Sequence, residues 1–440
     1  MGNARHPVVE TPYLDTMANG GVSFTRAYSA VPSCIAARAA IMTGMSQEGH
    51  GRKGYRDNVV WNYPHTLAGE LAAAGYHTQC VGKMHVYPTR SLLGFHNVVL
   101  HDGFLHAARN HKNRYEEQQS YIDDYFVWLK RQKGVDADIW DTGLEANSWV
   151  ARPWIYEEAV HPTNWVVTES IDFLRRRDPS KPFFLMSSFV RPHSPLDPPE
   201  CYLNMYLEKG VDCPKKGDWQ REAEGMPDYN DTCGVLGEAQ QRRMRAGYYG
   251  CITHVDHQIG RLLQAVNDIG ELQNTVFLFT SDHGDMLGDF HLFRKAVPYE
   301  GSARVPLILY DPGDVLHLPK GAKLNQVVEL RDIMPTLLDI AGAPVPQSVE
   351  GESLIKAVNG EHWRETVIGQ HEFGDMSNHY IVSSHDKYLY FDQSGTEQYF
   401  DLDADPDESH NAVHDAAYQE RIAALREQLG QYRKMELSSL

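Results

Sequence analysis

The 440-residue chain has no apolar run long enough to cross a bilayer, and its first residues do not form a signal peptide. Its six cysteines, at 34, 80, 201, 213, 233 and 251, include no CxxC pair. That spacing argues against a disulfide framework and against a cysteine-built zinc site. Repeats, low-complexity tracts and coiled-coil heptads are missing as well. Positive charge is in deficit: 41 Lys and Arg stand against 59 Asp and Glu, a formal net charge of −18. That balance argues against nucleic acid or an acidic membrane as the main partner. An anionic small molecule would need positive charge concentrated at its own site. The compartment stays open: cytoplasmic for the chain as given, periplasmic or secreted if a preceding segment carries a signal.

What the chain does have is alternating helices and strands. In "TPYLDTMANGG", Thr11 can cap a short helix with Pro12 at its first position and glycines at its end. "HTLAGELAAAGYHTQCVGKMH" predicts a helix over 67–74, a turn at Gly75 and a strand into Val81. The segment 164–195 repeats that order, with a strand over 183–189. Ile252, Val255, Ile259, Leu262, Leu263 and Val266 share one helical face, and "TVFLFT" and "RVPLILY" read as strands. Such units predict an α/β fold: a mostly parallel central sheet flanked by helices over residues 1–358. From 359 to 440, short strands and a closing helix near 417–435 predict a smaller C-terminal α+β subdomain. Residues 100–160 and 197–235, aromatic and weakly periodic, are expected to be insertions around the site.

In open α/β sheets, ligands bind beyond the carboxyl ends of the strands. Lys83 and His85 follow the strand ending near Val81, and Arg191 and His193 follow the strand ending near Phe189. Asp282, His283 and Asp285 follow "TVFLFTS", with His291, Arg294 and Lys295 shortly after. Each has an ordinary alternative: Lys83 as a surface lysine, His85 as a loop histidine, His193 as a turn former, Asp282 as a helix cap. Their arrival at one edge favours a shared site. In "VPSCIAARAAIMTG", Cys34 opens a helix and Arg38 lies one turn on, on the same face. A helix N-terminus carries free N–H groups and partial positive charge, so it suits an anion.

Cys34-Ile35-Ala36-Ala37-Arg38 resembles the sulfatase signature C-x-[P/A]-x-R, and "GYHTQCVGKMH", "RPHSP", "TSDHGDMLGDFHLFRKAVPYEGSARVPLIL" and "FDLDADPDESHNAV" match that family in order and spacing. The resemblance implies the alkaline phosphatase-like fold and hydrolysis of a sulfate ester, of a sulfated carbohydrate or an aryl alcohol. It implies that a maturation enzyme oxidises Cys34 to formylglycine, whose hydrate attacks sulfur with one hydroxyl and expels sulfate with the other. It further implies that Arg38 holds the hydrate, that Lys83 and Lys295 neutralise sulfate oxygens, and that His85 assists proton movement. His193 would protonate or steady the leaving alcohol. Asp282 and His283, with the modified Cys34, would bind a divalent cation, usually calcium, although His283 stands where many members carry Asn.

The match lacks one element. Family members begin with a buried strand ending in paired aspartates, and "MGNARHPVVETP" lies downstream of that place in the pattern. The expectation is a start assigned too late; the adjacent Asp123 and Asp124 are not expected to substitute. Two other readings stay open: a phosphonate monoesterase or phosphodiesterase of the same superfamily, and a silent binding protein that keeps the fold.

Overall fold

The computed structural model describes residue 2 and residues 6–105, 122–223, 225–372 and 374–438. Seven strands carry the larger part: β1 (Val22–Tyr28), β2 (His77–Gly82), β3 (Asn97–Leu100), β4 (Phe183–Ser188), β5 (Phe277–Thr280), β6 (Leu307–Tyr310) and β7 (Ala322–Glu329). They form two pieces of sheet, in the orders β5-β6-β1-β7 and β3-β2-β4. Pairing is parallel for β1 with β7 and for β2 with both β3 and β4. Parallel pairing predominates, as expected from the sequence; the exception is β6, which runs against both β1 and β5. No crossover helix links β6 back in parallel: the turn Glu300–Ala303 delivers the chain to it directly, and the sheet is mixed.

Alternation along the strands covers both faces. Ile308, Phe277 and Phe279 pack with Leu14, Met17, Val255 and Ile259, from the helices Pro12–Gly20 and Glu238–Asp268. Leu307, Leu309 and Leu278 point the other way, toward Ala37, Leu330 and Ile333. The helix Glu238–Asp268 starts well before its apolar period becomes legible, because its first turns are rich in charge.

Much of the aromatic insertion turns out to be core. Tyr125, Phe126, Ile139, Trp154 and Trp165 are buried together in one cluster. Asp123 and Asp124 serve local structure: Asp123 accepts the Phe126 N–H at a helix start, and Asp124 pairs with Arg90 and accepts the Leu100 N–H. Residues 106–121 of that insertion lie outside the described residues.

The C-terminal sheet has the order β11-β10-β9-β8, all antiparallel, from β8 (Thr366–His371), β9 (Asn378–Ser383), β10 (Asp386–Phe391) and β11 (Glu397–Asp401). Ile422, Leu425 and Leu429 of the last helix pack on Ile381, Tyr388 and Tyr399, each burial contributing about 1.5–3 kcal/mol. Tyr380, Val382, Leu389 and Phe400 face the opposite way and share a core with Tyr28, Met286, Phe290 and Tyr299. Lys387 is fully buried at this junction, its ammonium 2.6 Å from Glu300 and 2.8 Å from Glu408. The subdomain is thus joined to the segment that carries the site.

The two sheet pieces do not pair with each other. Between the edges of β4 and β5 runs a cavity of about 790 Å³, lined by Phe183–Ser188 and Phe277–Thr280 and reaching Arg38, Lys83 and Asp282. Both edges are only half-buried, whereas β2 is almost wholly buried.

Candidate active site

Cys34 is the first residue of the helix Cys34–Thr43, which ends at Gly44 in the left-handed conformation (φ 66°). The preceding Ser33 is extended and makes no side-chain cap, so the helix N-terminus is left to whatever lies at Cys34. The thiol is buried yet faces the strand ends: its Sγ is 3.1 Å from His283 Nε2.

The strand-end residues converge on it. Asp282 follows β5 and accepts from Arg38 Nε at 3.0 Å and Lys83 Nζ at 3.3 Å. Arg38 also donates to the Lys83 carbonyl at 2.7 Å and to Ser188 Oγ at 3.0 Å. The guanidinium therefore ties the ends of β2, β4 and β5 to one helix. Lys295 Nζ lies 2.6 Å from His193 Nε2, and His193 Nδ1 lies 2.9 Å from the Ser194 carbonyl. An ammonium can only donate and a carbonyl can only accept, so His193 is neutral with its proton on Nδ1. His283 Nδ1 donates to the Gly284 carbonyl at 2.8 Å, and its Nε2 faces the Cys34 sulfur. Every residue expected at the site (Cys34, Arg38, Lys83, His85, His193, Asp282, His283 and Lys295) belongs to this one cluster.

Two strained turns present the cations. His85 has φ 59°, uncommon for a residue with a Cβ. The Asp102 carboxylate accepts the N–H groups of Met84 (2.6 Å) and His85 (3.0 Å) and so fixes this turn. Lys295 stands between two left-handed residues, Arg294 (φ 66°) and Ala296 (φ 76°). Asp285 accepts the Arg294 N–H, and Pro32 accepts the Ala296 N–H. Strain of this kind persists only where the surroundings over-determine it. Asp102 and Ser188 escaped the sequence reading. Asp102 follows β3, a four-residue strand with no clear pattern, and Ser188 is a strand-end serine among several. Arg191, noted at the same edge, is spent on a buried two-pronged pair with Asp197, at 2.5 and 2.7 Å.

The electrostatics follow from burial against charge. Burial alone would raise the Cys34 pKa, but Lys295, Lys83 and His283 outweigh it and hold the thiol well below its usual range. Asp282 behaves alike: burial opposes ionisation, and Lys83, His283 and Arg38 overcome it. Burial first and Lys295 second push His193 down to about 4, and burial and Lys83 lower His85. In a chain of net charge −18, the site is a small positive enclosure around one nucleophilic position. It is suited to a tetrahedral oxyanion.

Residues 1–343 match the family model of the sulfatases, and residues 288–435 match that of the C-terminal part of N-sulphoglucosamine sulphohydrolase. The chain belongs to the sulfatase family. It is 57% identical over 423 residues to an arylsulfatase of Clostridium perfringens, covering 95% of this chain and 88% of that one. Among solved structures, the phosphonate monoester hydrolase of Agrobacterium radiobacter superposes with a TM-score of 0.78 at 24% identity, over 99% of this chain and 93% of that one. A protein solved with its substrate, D-glucosamine-2-N,6-O-disulfate, gives 0.75 at 22%, over 99% and 94%. These likenesses establish the alkaline phosphatase-like fold. This sulfatase is a sulfuric ester hydrolase.

Calcium does not fit the donors that the described residues supply. Asp282 gives a carboxylate, His283 an imidazole and Cys34 a thiol, all within 4.8 Å of one another. Calcium takes six to eight oxygens, and no further carboxylate joins this group among the described residues.

Proposed function

We propose that this sulfatase hydrolyses the sulfate monoester of a carbohydrate or aryl alcohol at a formylglycine derived from Cys34. The single observation that carries the reading is the placement of Cys34 Sγ at a helix N-terminus, inside a ring of Lys83, Lys295, His85, His193 and His283. The residues fit the modified side chain: His85 lies within hydrogen-bonding reach of position 34, and its Nδ1 is buried without a partner among the described residues. When present, the hydrated aldehyde supplies one hydroxyl for attack on sulfur and a second that expels sulfate as the carbonyl re-forms.

The chain's own residues do the rest. Lys83 and Lys295 bind the sulfate oxygens and balance the charge that builds on them in the transition state. His85, kept neutral by burial, accepts a proton at position 34. His193 Nε2 holds the Lys295 ammonium, so the proton available to the departing alcohol is the one this pair shares. Arg38 fixes Asp282 and the Lys83 turn relative to the helix, which limits reorganisation on binding.

The arylsulfatase relative and the disulfated glucosamine of the structural neighbour motivate the two substrate classes. The test is turnover of an aryl sulfate against an aryl phosphodiester, using protein made with a formylglycine-generating enzyme and then a panel of sulfated monosaccharides. Faster sulfate hydrolysis supports the reading. A preference for the diester by orders of magnitude would replace it with the phosphonate monoesterase or phosphodiesterase reading.

A further inference from the structure

Arg191 and Asp197 bracket His193 on the loop that leaves β4, and the hydrolysis proposed above gives them no task. Their side chains meet across the loop, Nε to Oδ1 at 2.5 Å and Nη2 to Oδ2 at 2.7 Å, with exposures of 1% and 0%. Against burial, Arg191 and His161 pull the Asp197 carboxyl down to about 2, so the pair is ionised. Arg191 Nη1 is buried without a partner among the described residues. An ion pair this dry, with a donor to spare, typically adds no more stability than apolar side chains of similar volume. What a planar fork on a carboxylate does supply is fixed geometry. It closes residues 191–197 into a ring that carries His193.

The far side of that ring is anchored to the aromatic insertion. Three consecutive carbonyls accept from it: Leu196 from the Arg152 N–H at 3.1 Å, Asp197 from His161 Nε2 at 3.2 Å, and Pro198 from the Trp154 N–H at 3.0 Å. His161 is fully buried and caps the helix Pro162–Arg176, its Nδ1 accepting the Thr163 N–H at 3.1 Å. Its proton is therefore on Nε2, which donates to the Asp197 carbonyl. A helix N-terminus thus holds Asp197, and Asp197 holds Arg191. The closed loop in turn holds the imidazole whose Nε2 is 2.6 Å from Lys295.

We infer that Arg191, Asp197 and His161 are positioning residues, which fix His193, and the proton it shares with Lys295, at the leaving oxygen of the ester. They matter to turnover because His193 serves the departing alcohol, so the inference rests on the hydrolytic reading. A group displaced by about 1 Å can cost a hundredfold in rate. Proton donation counts most where the departing alcohol is most basic. Loosening the clamp therefore spares sulfates of acidic phenols, which leave readily as anions. It slows sulfates of weakly acidic phenols.

The experiment measures kcat/KM over a series of aryl sulfates of rising phenol pKa, on the full chain at equal formylglycine content, with His193→Gln as the reference. Arg191→Lys keeps the charge and loses the fork. His161→Asn keeps a capping side chain and loses the reach to Asp197; it decides alone if Arg191→Lys does not fold. Each clamp variant should steepen the dependence on leaving-group pKa, with a loss of about ten- to a hundredfold for the poorest leaving group and little for the best. In the His193→Gln background neither should steepen it further. A parental slope in the clamp variants beside a steepened His193→Gln overturns the inference alone. So does a loss that is uniform across the series, or one that adds in full to that of His193→Gln. A parent without turnover, or a parental slope in His193→Gln itself, overturns the hydrolytic reading of His193 and the inference with it.

Discussion

Replacing Lys295 by alanine separates two effects that the structure couples. The first is loss of a donor to the sulfate oxygens, which typically costs about 10²–10³ in kcat, or about 2.7–4 kcal/mol. The second acts through His193, whose Nε2 is 2.6 Å from the ammonium. Burial is the larger reason that His193 sits near 4, and Lys295 is the next. Removing the ammonium lifts the pKa toward the ordinary 6.5 but not to it, because burial remains. His193 then protonates at higher pH than in the parent, so the acid limb of kcat/KM moves upward. The assay is a pH–rate profile for an aryl sulfate, run on protein with equal formylglycine content. Lys295→Ala should show a kcat lower by at least about a hundredfold at its optimum, together with the displaced limb. A kcat within a few-fold of the parent, or a limb that stays in place, refutes the reasoning.

Asp282→Asn leaves Arg38 and Lys83 without their shared carboxylate in a nearly buried position; a loss of about 3–5 kcal/mol is expected, read by urea unfolding. Because the folded carboxyl is held below its unfolded value of 3.8, its stabilisation is complete above that value and fades as pH falls through it. The parent should therefore lose stability in acid faster than Asp282→Asn does. Lys387→Met strips the buried Glu408 of its ammonium and leaves Glu300 with only Arg304 and Arg26; it should cost about 3 kcal/mol, while kcat of the folded protein stays near parental at 25 °C. Asp102→Asn removes the anionic acceptor from the Lys83–His85 turn; kcat should fall with KM little changed, and a spared kcat would show that the turn holds without it.

The site was legible in the sequence to the extent that its residues sit at strand ends. Lys83, His193 and Asp282 each follow an apolar run whose direction brings its carboxyl end to one edge, so their convergence required only the α/β pattern. The residues that hold them were not legible. Asp102 acts through backbone N–H groups seventeen and eighteen positions away, and nothing in its neighbourhood marks it. The antiparallel β6 was equally hidden, because "RVPLILY" reads alike in either direction. The aromatic insertion misled for another reason: loops and buried clusters are both rich in Trp and Tyr, and only packing shows that Tyr125, Phe126 and Trp154 are interior.

The proposed hydrolysis requires that residue 34 react only after its sulfur has been replaced, inside the positive enclosure built by the two lysines. The most direct measurement is the mass of the peptide carrying residue 34, followed across preparations of rising activity. Activity should scale with the fraction of peptide about 18 Da lighter than the thiol form, and extrapolate to zero where that fraction vanishes. Full turnover from protein whose residue 34 is entirely thiol would contradict it.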